Sequence, residues 1–168
     1  MTDEELGCCS ASYLCFCTVM TDDLLEEQSP EIPDGFERMN WWQGFGRQIG
    51  PLYERINPDK TYSRAFLVCD HHTNGMKNCH GGMLMAFADM ALGHAITLET
   101  NRFWVTVRMV TDFLEAAQVG DWVEGTGTIT GRDHDFYTVS GRIWTGERTV
   151  MTATGVFKAL GNRPAKKR

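Results

Sequence analysis

"NGMKNCHGGMLMAFADMALGHAITLET", residues 74–100, is the stretch on which the fold turns. From Met83 to Leu98 apolar residues occupy every side of a helical wheel instead of one stripe. A helix that is apolar all round is a buried one. The pattern predicts a helix from about Gly81 to about Glu99, with a sheet curled around most of it and a second chain covering what remains.

Two features of this helix are costly. Asp89 sits in its middle, where an ionised carboxylate needs partners or a shifted pKa. It is either a structural aspartate bonded to a nearby backbone group or hydroxyl, or a reactive one. The helix also opens on His80-Gly81-Gly82. The first amides of a helix lack internal partners and sit at its positive end, and glycine lets a ligand oxygen come close to them. The pair is either a plain loop-to-helix joint or a donor set for a carbonyl oxygen that gains negative charge.

Distance links the two ends. Asp89 lies eight residues beyond Gly81, about 12 Å along the axis at ~1.5 Å per residue. A reacting carbonyl must lie ~3 Å from both its donor and the attacking group. One chain cannot easily meet both conditions. Two chains related by a twofold axis can, with the Gly81 end of one helix facing Asp89 of the other.

Outside the helix the chain reads mainly as strands. "SRAFLVCDHH" (63–72) alternates like a strand and precedes the turn-rich "TNGMKN". Four further strands are expected at 102–116, 121–132, 135–145 and 147–160, separated by turn formers such as Val119-Gly120-Asp121 and Thr145-Gly146. In the first of them Phe103, Val105, Val107 and Met109 fall on one face. Residues 36–56 mix aromatic and apolar positions at helical spacing and predict one or two short helical pieces. One strand, one helix and then four strands argue α+β: an antiparallel sheet with a single long helix against one face.

The 168 residues suit one domain, and an apolar fraction of 42% is enough for a core. Residues 1–35 read as a weakly ordered acidic extension, 36–161 as the folded domain and 162–168 as a basic tail. Residues 1–37 hold ten acids and no Lys or Arg, which leaves a near-neutral body under the net charge of −6. That balance offers nothing to nucleic acid. No apolar run approaches ~18 residues, so no membrane span is expected. The six cysteines follow no disulfide framework and imply free thiols in a reducing cytosol. "MTDDLLEEQSPEIPDGF" reads as a natural polar N-terminus, so Met20 is an alternative start.

"NGMKNCHGG", "FADMA" and "VTDFLEAAQVGD", in that order, resemble the hot-dog-fold acyl-CoA thioesterases of the phenylacetate-degradation type, from about Gly50 to Leu160. The resemblance implies a five- or six-stranded antiparallel sheet wrapped around the helix, and active sites built between paired subunits, as homodimers or dimers of dimers. It implies hydrolysis of an acyl-CoA to acid and free thiol with no metal or redox cofactor. By position Asp89 would be general base or nucleophile, and the Gly81 amide the oxyanion donor, with Gly82 beside it in substrate binding. Asn74 would orient the carboxylate or the water, and His80 would hold the loop beside the thioester. Thr106, with Thr111 as the fallback, would contact the attacking water. Arg132 is the first choice to hold the coenzyme phosphates, ahead of Arg102 and Arg108.

Three other readings stand beside this one. Cys69, His71, His72, Cys79 and His80 look like a metal cluster, but on a strand Cys69 and His71 would face away from His72, and no paired ligand motif supports it. A hot-dog enoyl-CoA hydratase would need a histidine placed to act with an acid, and His94 lies well around the helix from Asp89. A non-catalytic acyl-CoA-binding protein would share the fold, since fold does not fix function.

Overall fold

Residues 81–100 form the helix their composition predicts, and the rest of the chain is arranged to cover it. The structure is a computed structural model that describes residues 31–40, 43–59 and 61–164. The acidic extension up to residue 30, the alternative start at Met20 and the last four residues of the basic tail lie outside the described residues. In chain order the elements are β1 (Glu37–Arg38), α1 (Phe45–Gln48), β2 (Tyr53–Ile56), β3 (Tyr62–Leu67), a 3-10 turn (Asp70–His72), α2 (Gly81–Thr100), β4 (Arg102–Phe113), β5 (Trp122–Asp133), β6 (Phe136–Thr145) and β7 (Arg148–Asn162).

The strands make one antiparallel sheet in the order β1-β2-β3-β5-β6-β7-β4. The expected architecture, one long helix and an antiparallel sheet around it, is what the structure has. The strand count is seven instead of five or six. The surplus comes from the segment expected to be helical. Only Phe45–Gln48 is helix there, while Tyr53–Ile56 pairs with β3 in the register Tyr53↔Ala65 to Ile56↔Tyr62. Tyr53 is buried with Phe36 and Ala65, and the half-buried Trp122 packs against them, so cross-strand packing overrides the local helical spacing.

Leu84, Phe87, Ala88, Ala91, Leu92 and Ile96 of α2 pack on Val123, Tyr137, Val139, Ile143, Met151 and Phe157 of the sheet. The approach is close: a Cβ on Gly127 of β5 would lie 2.8 Å from the Leu92 Cα, and backbone cannot step aside. By length and composition α2 can cross a membrane, with a mean hydropathy of 1.3. This corrects the expectation that no segment reaches that length. Half of that window is buried within the chain.

The ends of α2 are fixed by two devices. His80 is the N-cap, its Nδ1 accepting from the Gly82 N–H at 2.8 Å. Asn101 takes the left-handed conformation (φ 52, ψ 34) that closes the other end, its N–H bonded to the Thr97 carbonyl. β4 begins at the very next residue.

β4 is an edge strand with register shifts against β7 between Arg102 and Trp104 and between Thr106 and Arg108. The second shift changes which residues face the helix. Trp104 and Met109 pack against the core, whereas Phe103, Val105 and Val107 are exposed. Met109 therefore does not share their face, because the extra residue breaks the period-2 alternation. The strand expected over 63–72 is also shorter. It stops at Leu67, and Asp70–His72 form the 3-10 turn.

Candidate active site

One stripe of α2 is left uncovered: Gly82 and Met85 are exposed, and Ala86 and Asp89 half-buried. These positions repeat at helical spacing, so they form a continuous line running back from Asp89 to the start of the helix. β4 flanks this line. Its first bulge sets Trp104 over Gly93, where a Cβ would fall 2.3 Å from the indole ring. Trp104 is held in turn by its Nε1–H bond to Thr97 Oγ1 at 3.1 Å and by its edge against Phe157.

Two residues further along β4, Thr106 Oγ1 donates to Asp89 Oδ1. The other carboxylate oxygen has no partner among the described residues. Burial pushes the Asp89 pKa above the ordinary carboxylate value, and the Thr106 hydrogen bond pulls the other way. The group is a carboxylate made more basic by its surroundings, with one oxygen anchored and one open. Thr111 stands opposite Ala153 of β7 and makes no bond to Asp89.

At the head of the helix Met83 and Leu84 donate to the His80 carbonyl, and Gly82 donates to the His80 ring. That leaves the Gly81 amide without a partner among the described residues. The fit above it is tight: a Cβ on Gly81 would meet the Phe113 ring at 3.3 Å. Because His80 Nδ1 accepts, its proton is on Nε2, which faces outward on an exposed ring. Asn74 shapes the preceding loop. Its Oδ1 accepts from Met76 N at 2.9 Å and from Asn78 N at 3.3 Å, and its side-chain NH2 is left over.

Asp89 and Thr106 are thus brought together in one chain, as are His80, Gly81 and Gly82. The two groups are not brought together, since eight residues of helix lie between Gly81 and Asp89. Arg132 is elsewhere. It stands 4.0 Å from Glu99, over the Tyr137 ring, at the far end of α2. Arg102 is engaged with Asp135 at 2.8 Å and with the Leu160 carbonyl. Arg108 is exposed on β4 with no acidic partner among the described residues.

The apparent metal cluster has a different explanation. His72 is buried in the 3-10 turn, accepts from Cys69 N at 3.0 Å and reaches the Ile49 carbonyl at 3.1 Å. Burial and the adjacent His71 push its pKa down to about 4. Cys79 is buried, with its thiol pushed up to about 12. Among the described residues no three His, Cys, Asp or Glu side chains gather as a metal-holding group.

The sequence reading missed Phe113 over Gly81. It also missed the partners of His94: Arg64 Nη2 at 2.8 Å from Nδ1, and Glu54 Oε2 at 2.8 Å from Nε2. A signal for the second existed. Glu54 and Arg64 lie three residues either side of the segment 57–61, which opens on the turn formers Asn57, Pro58 and Asp59, as partners across a hairpin do.

The Thioesterase superfamily profile matches residues 76–152, from the loop before α2 into β7. A Pseudomonas aeruginosa protein named "Putative esterase PA0474" is 31% identical over 128 residues, 75% of this chain and 96% of that one. The chain belongs to the Thioesterase superfamily. Among solved structures, the superfamily fold recurs in the E. coli PaaI protein of the phenylacetic acid degradation operon, at 24% identity and a TM-score of 0.57 over 60% of this chain and 73% of that one. It recurs in a hypothetical thioesterase protein of Streptococcus pneumoniae solved with coenzyme A, at 24% and 0.56 over 61% and 80%. It recurs again in the Thermus thermophilus TT0310 protein, at 24% and 0.59 over 69% and 97%. As a superfamily member the chain is a hydrolase by descent, on the hot-dog fold.

Proposed function

We propose that the chain hydrolyses acyl-CoA thioesters in a site shared by two protomers. The observation that carries the proposal is the Asp89–Thr106 pair on the open stripe of α2, on the same helix as an unpartnered Gly81 amide. Eight residues separate them, about 12 Å along one helix, so a second copy must supply one half.

In this reading the thioester carbonyl rests on the Gly81 amide of the second copy, backed by the positive end of that helix. Asp89 takes a proton from a water held by Thr106. The water oxygen bonds to the carbonyl carbon, and the thiolate leaves and is protonated, giving acid and free coenzyme A. The open NH2 of Asn74 and the Nε2–H of His80 are donors at the rim for the water or the thioester. Direct attack by Asp89, through an anhydride, uses the same contacts. Neither route calls on a metal or redox cofactor. Arg108, which has no acidic partner among the described residues, and the distant Arg132 are available to coenzyme phosphates only where a second chain brings the substrate past them.

The edge strand supports pairing. Phe103, Val105, Val107, Val110 and Phe113 of β4 are each about half exposed, and a long apolar edge is a template for another strand. The Streptococcus pneumoniae relative was solved with coenzyme A, and also as Asp→Ala and Thr→Ala mutants. An aspartate and a threonine are the residue types paired here. His94 counts against a hydratase, because both of its ring nitrogens face Arg64 and Glu54. We place the enzyme in the reducing cytosol, on the cysteine pattern.

The test is thiol release from a panel of acyl-CoAs by wild type and Asp89→Asn. Turnover is expected to fall by about two orders of magnitude or more with acyl-CoA binding retained. Equal turnover in the variant overturns the proposal.

A further inference from the structure

A groove of about 860 Å³ lies away from Asp89, between β1–β3 and the C-terminal half of α2. That is the size of a small-molecule site. Its floor is a buried charged network. Arg64, only 7% exposed, donates from Nε to Glu54 at 3.0 Å, from Nη1 to the Met90 carbonyl at 2.8 Å and from Nη2 to His94 Nδ1 at 2.8 Å. Since arginine only donates, His94 Nδ1 accepts and its proton is on Nε2, 2.8 Å from Glu54 Oε2 though off the line of a good hydrogen bond. Burying such a group is expensive, and the proposed hydrolysis makes no use of it.

The rim adds positive charge. Arg38 on β1 and Arg163 beyond β7 line the same groove. Neither has an acidic partner within ion-pair distance among the described residues; Arg163 lies 5.7 Å from the Phe103 ring. Three guanidiniums therefore face two carboxylates, Glu37 and Glu54, and Glu54 is already engaged by Arg64 and His94. Burial holds His94 below the ordinary imidazole value; Glu54 pulls the other way, and the charges of Arg64 and Arg163 add to burial. Met39, Ile56 and Leu98 supply an apolar strip along the wall, beside the polar Asn40, Thr97 and Asn101.

We infer that this groove binds a small organic anion, a carboxylate on an apolar body, with its head between Arg38 and Arg163 above Arg64 and its tail along Met39, Ile56 and Leu98. Planar guanidiniums suit a carboxylate, which they hold through paired N–H bonds. Among the described residues the groove's single excess positive charge matches one carboxylate. The site is independent of the thioester reading and stands or falls without it.

Octanoate is the probe, titrated calorimetrically into the full chain, with octanamide and inorganic phosphate as comparisons. Saturable octanoate binding is expected. Octanamide and phosphate should each bind at least about tenfold more weakly, the one lacking charge and the other the apolar body. Arg38→Gln with Arg163→Gln, both at exposed positions, should weaken octanoate at least about tenfold. Leu98→Glu, which sets a carboxylate in the groove, should abolish it. Asp89→Asn should leave it intact. No saturable binding, indifference to the arginine pair and to Leu98→Glu, or phosphate binding as tightly as octanoate each overturns the inference. Loss of binding with Asp89→Asn overturns it too, by moving the ligand to the thioester cleft.

Discussion

Thr106→Val is the sharpest probe of the Asp89 site. It removes one hydroxyl, keeps the β-branched shape that suits β4, and leaves Asp89 with no anchored oxygen. Burial already favours the protonated form of Asp89, and the Thr106 bond is what opposes it. A hydrogen bond to a charged group is worth about 1.5–3 kcal/mol. The lower end applies because the pair sits on the open face, where water can replace the hydroxyl. About 1.5 kcal/mol is roughly a tenfold loss of the ionised fraction on the acidic limb. The assay is the pH dependence of kcat/KM for thiol release, whose rising limb should move to higher pH in the valine variant. Thr106→Ser, which restores a donor, should move it back. A carbon-13 titration of the Asp89 carboxyl should follow the same shift without depending on turnover. A limb that stays in place in a well-folded valine variant, or a serine variant that behaves like the valine one, refutes the reasoning.

Asp89→Asn should stabilise the fold while it removes activity. With the folded pKa raised, wild type loses stability as pH rises from the ordinary carboxylate value through the Asp89 value; urea melts should show that decline in wild type and not in the variant. Glu54 behaves oppositely. Burial opposes its ionisation, but His94 and Arg64 outweigh it and lower its pKa from 4.5 to about 2. That displacement amounts to roughly 3 kcal/mol of stability, present above pH ~4.5 and lost as pH falls toward 2. Glu54→Gln should flatten acid unfolding curves over that interval. Gly93→Ala drives a Cβ to 2.3 Å from Trp104, which Thr97 and Phe157 hold in place. Overpacking of this kind costs about 1–3 kcal/mol; calorimetric melting should show it, with the Asp89–Thr106 pair disturbed as β4 moves.

Much of this molecule can be read from its chain, and the unreadable parts share a cause. The apolar wrap of residues 83–98 announces a buried helix whatever surrounds it, and the strands after it are long enough to show their alternation. Asp89 is legible because a charge stands out in such a segment. Tyr53–Ile56 is not, since four residues carry no period of their own and take their state from β3 and Trp122. The face of Met109 is not, because a bulge leaves no mark in a single sequence yet inverts everything beyond it. The distance from Arg132 to Asp89 is a fact of tertiary packing, and so is the cover that Phe113 gives Gly81.

Asn101 alone joins the core helix to the edge strand. With no slack in that connection, turning the helix about its axis drags the strand along, and the carboxylate cannot drift from its hydroxyl by loop motion. Lengthening the chain there by one amino acid would throw Thr106 out of phase with Asp89. The same lengthening at the hairpin around Gly146, far from both, would be absorbed by solvent. Among descendants of this chain, gaps and additions should therefore accumulate at the second position and be purged at the first.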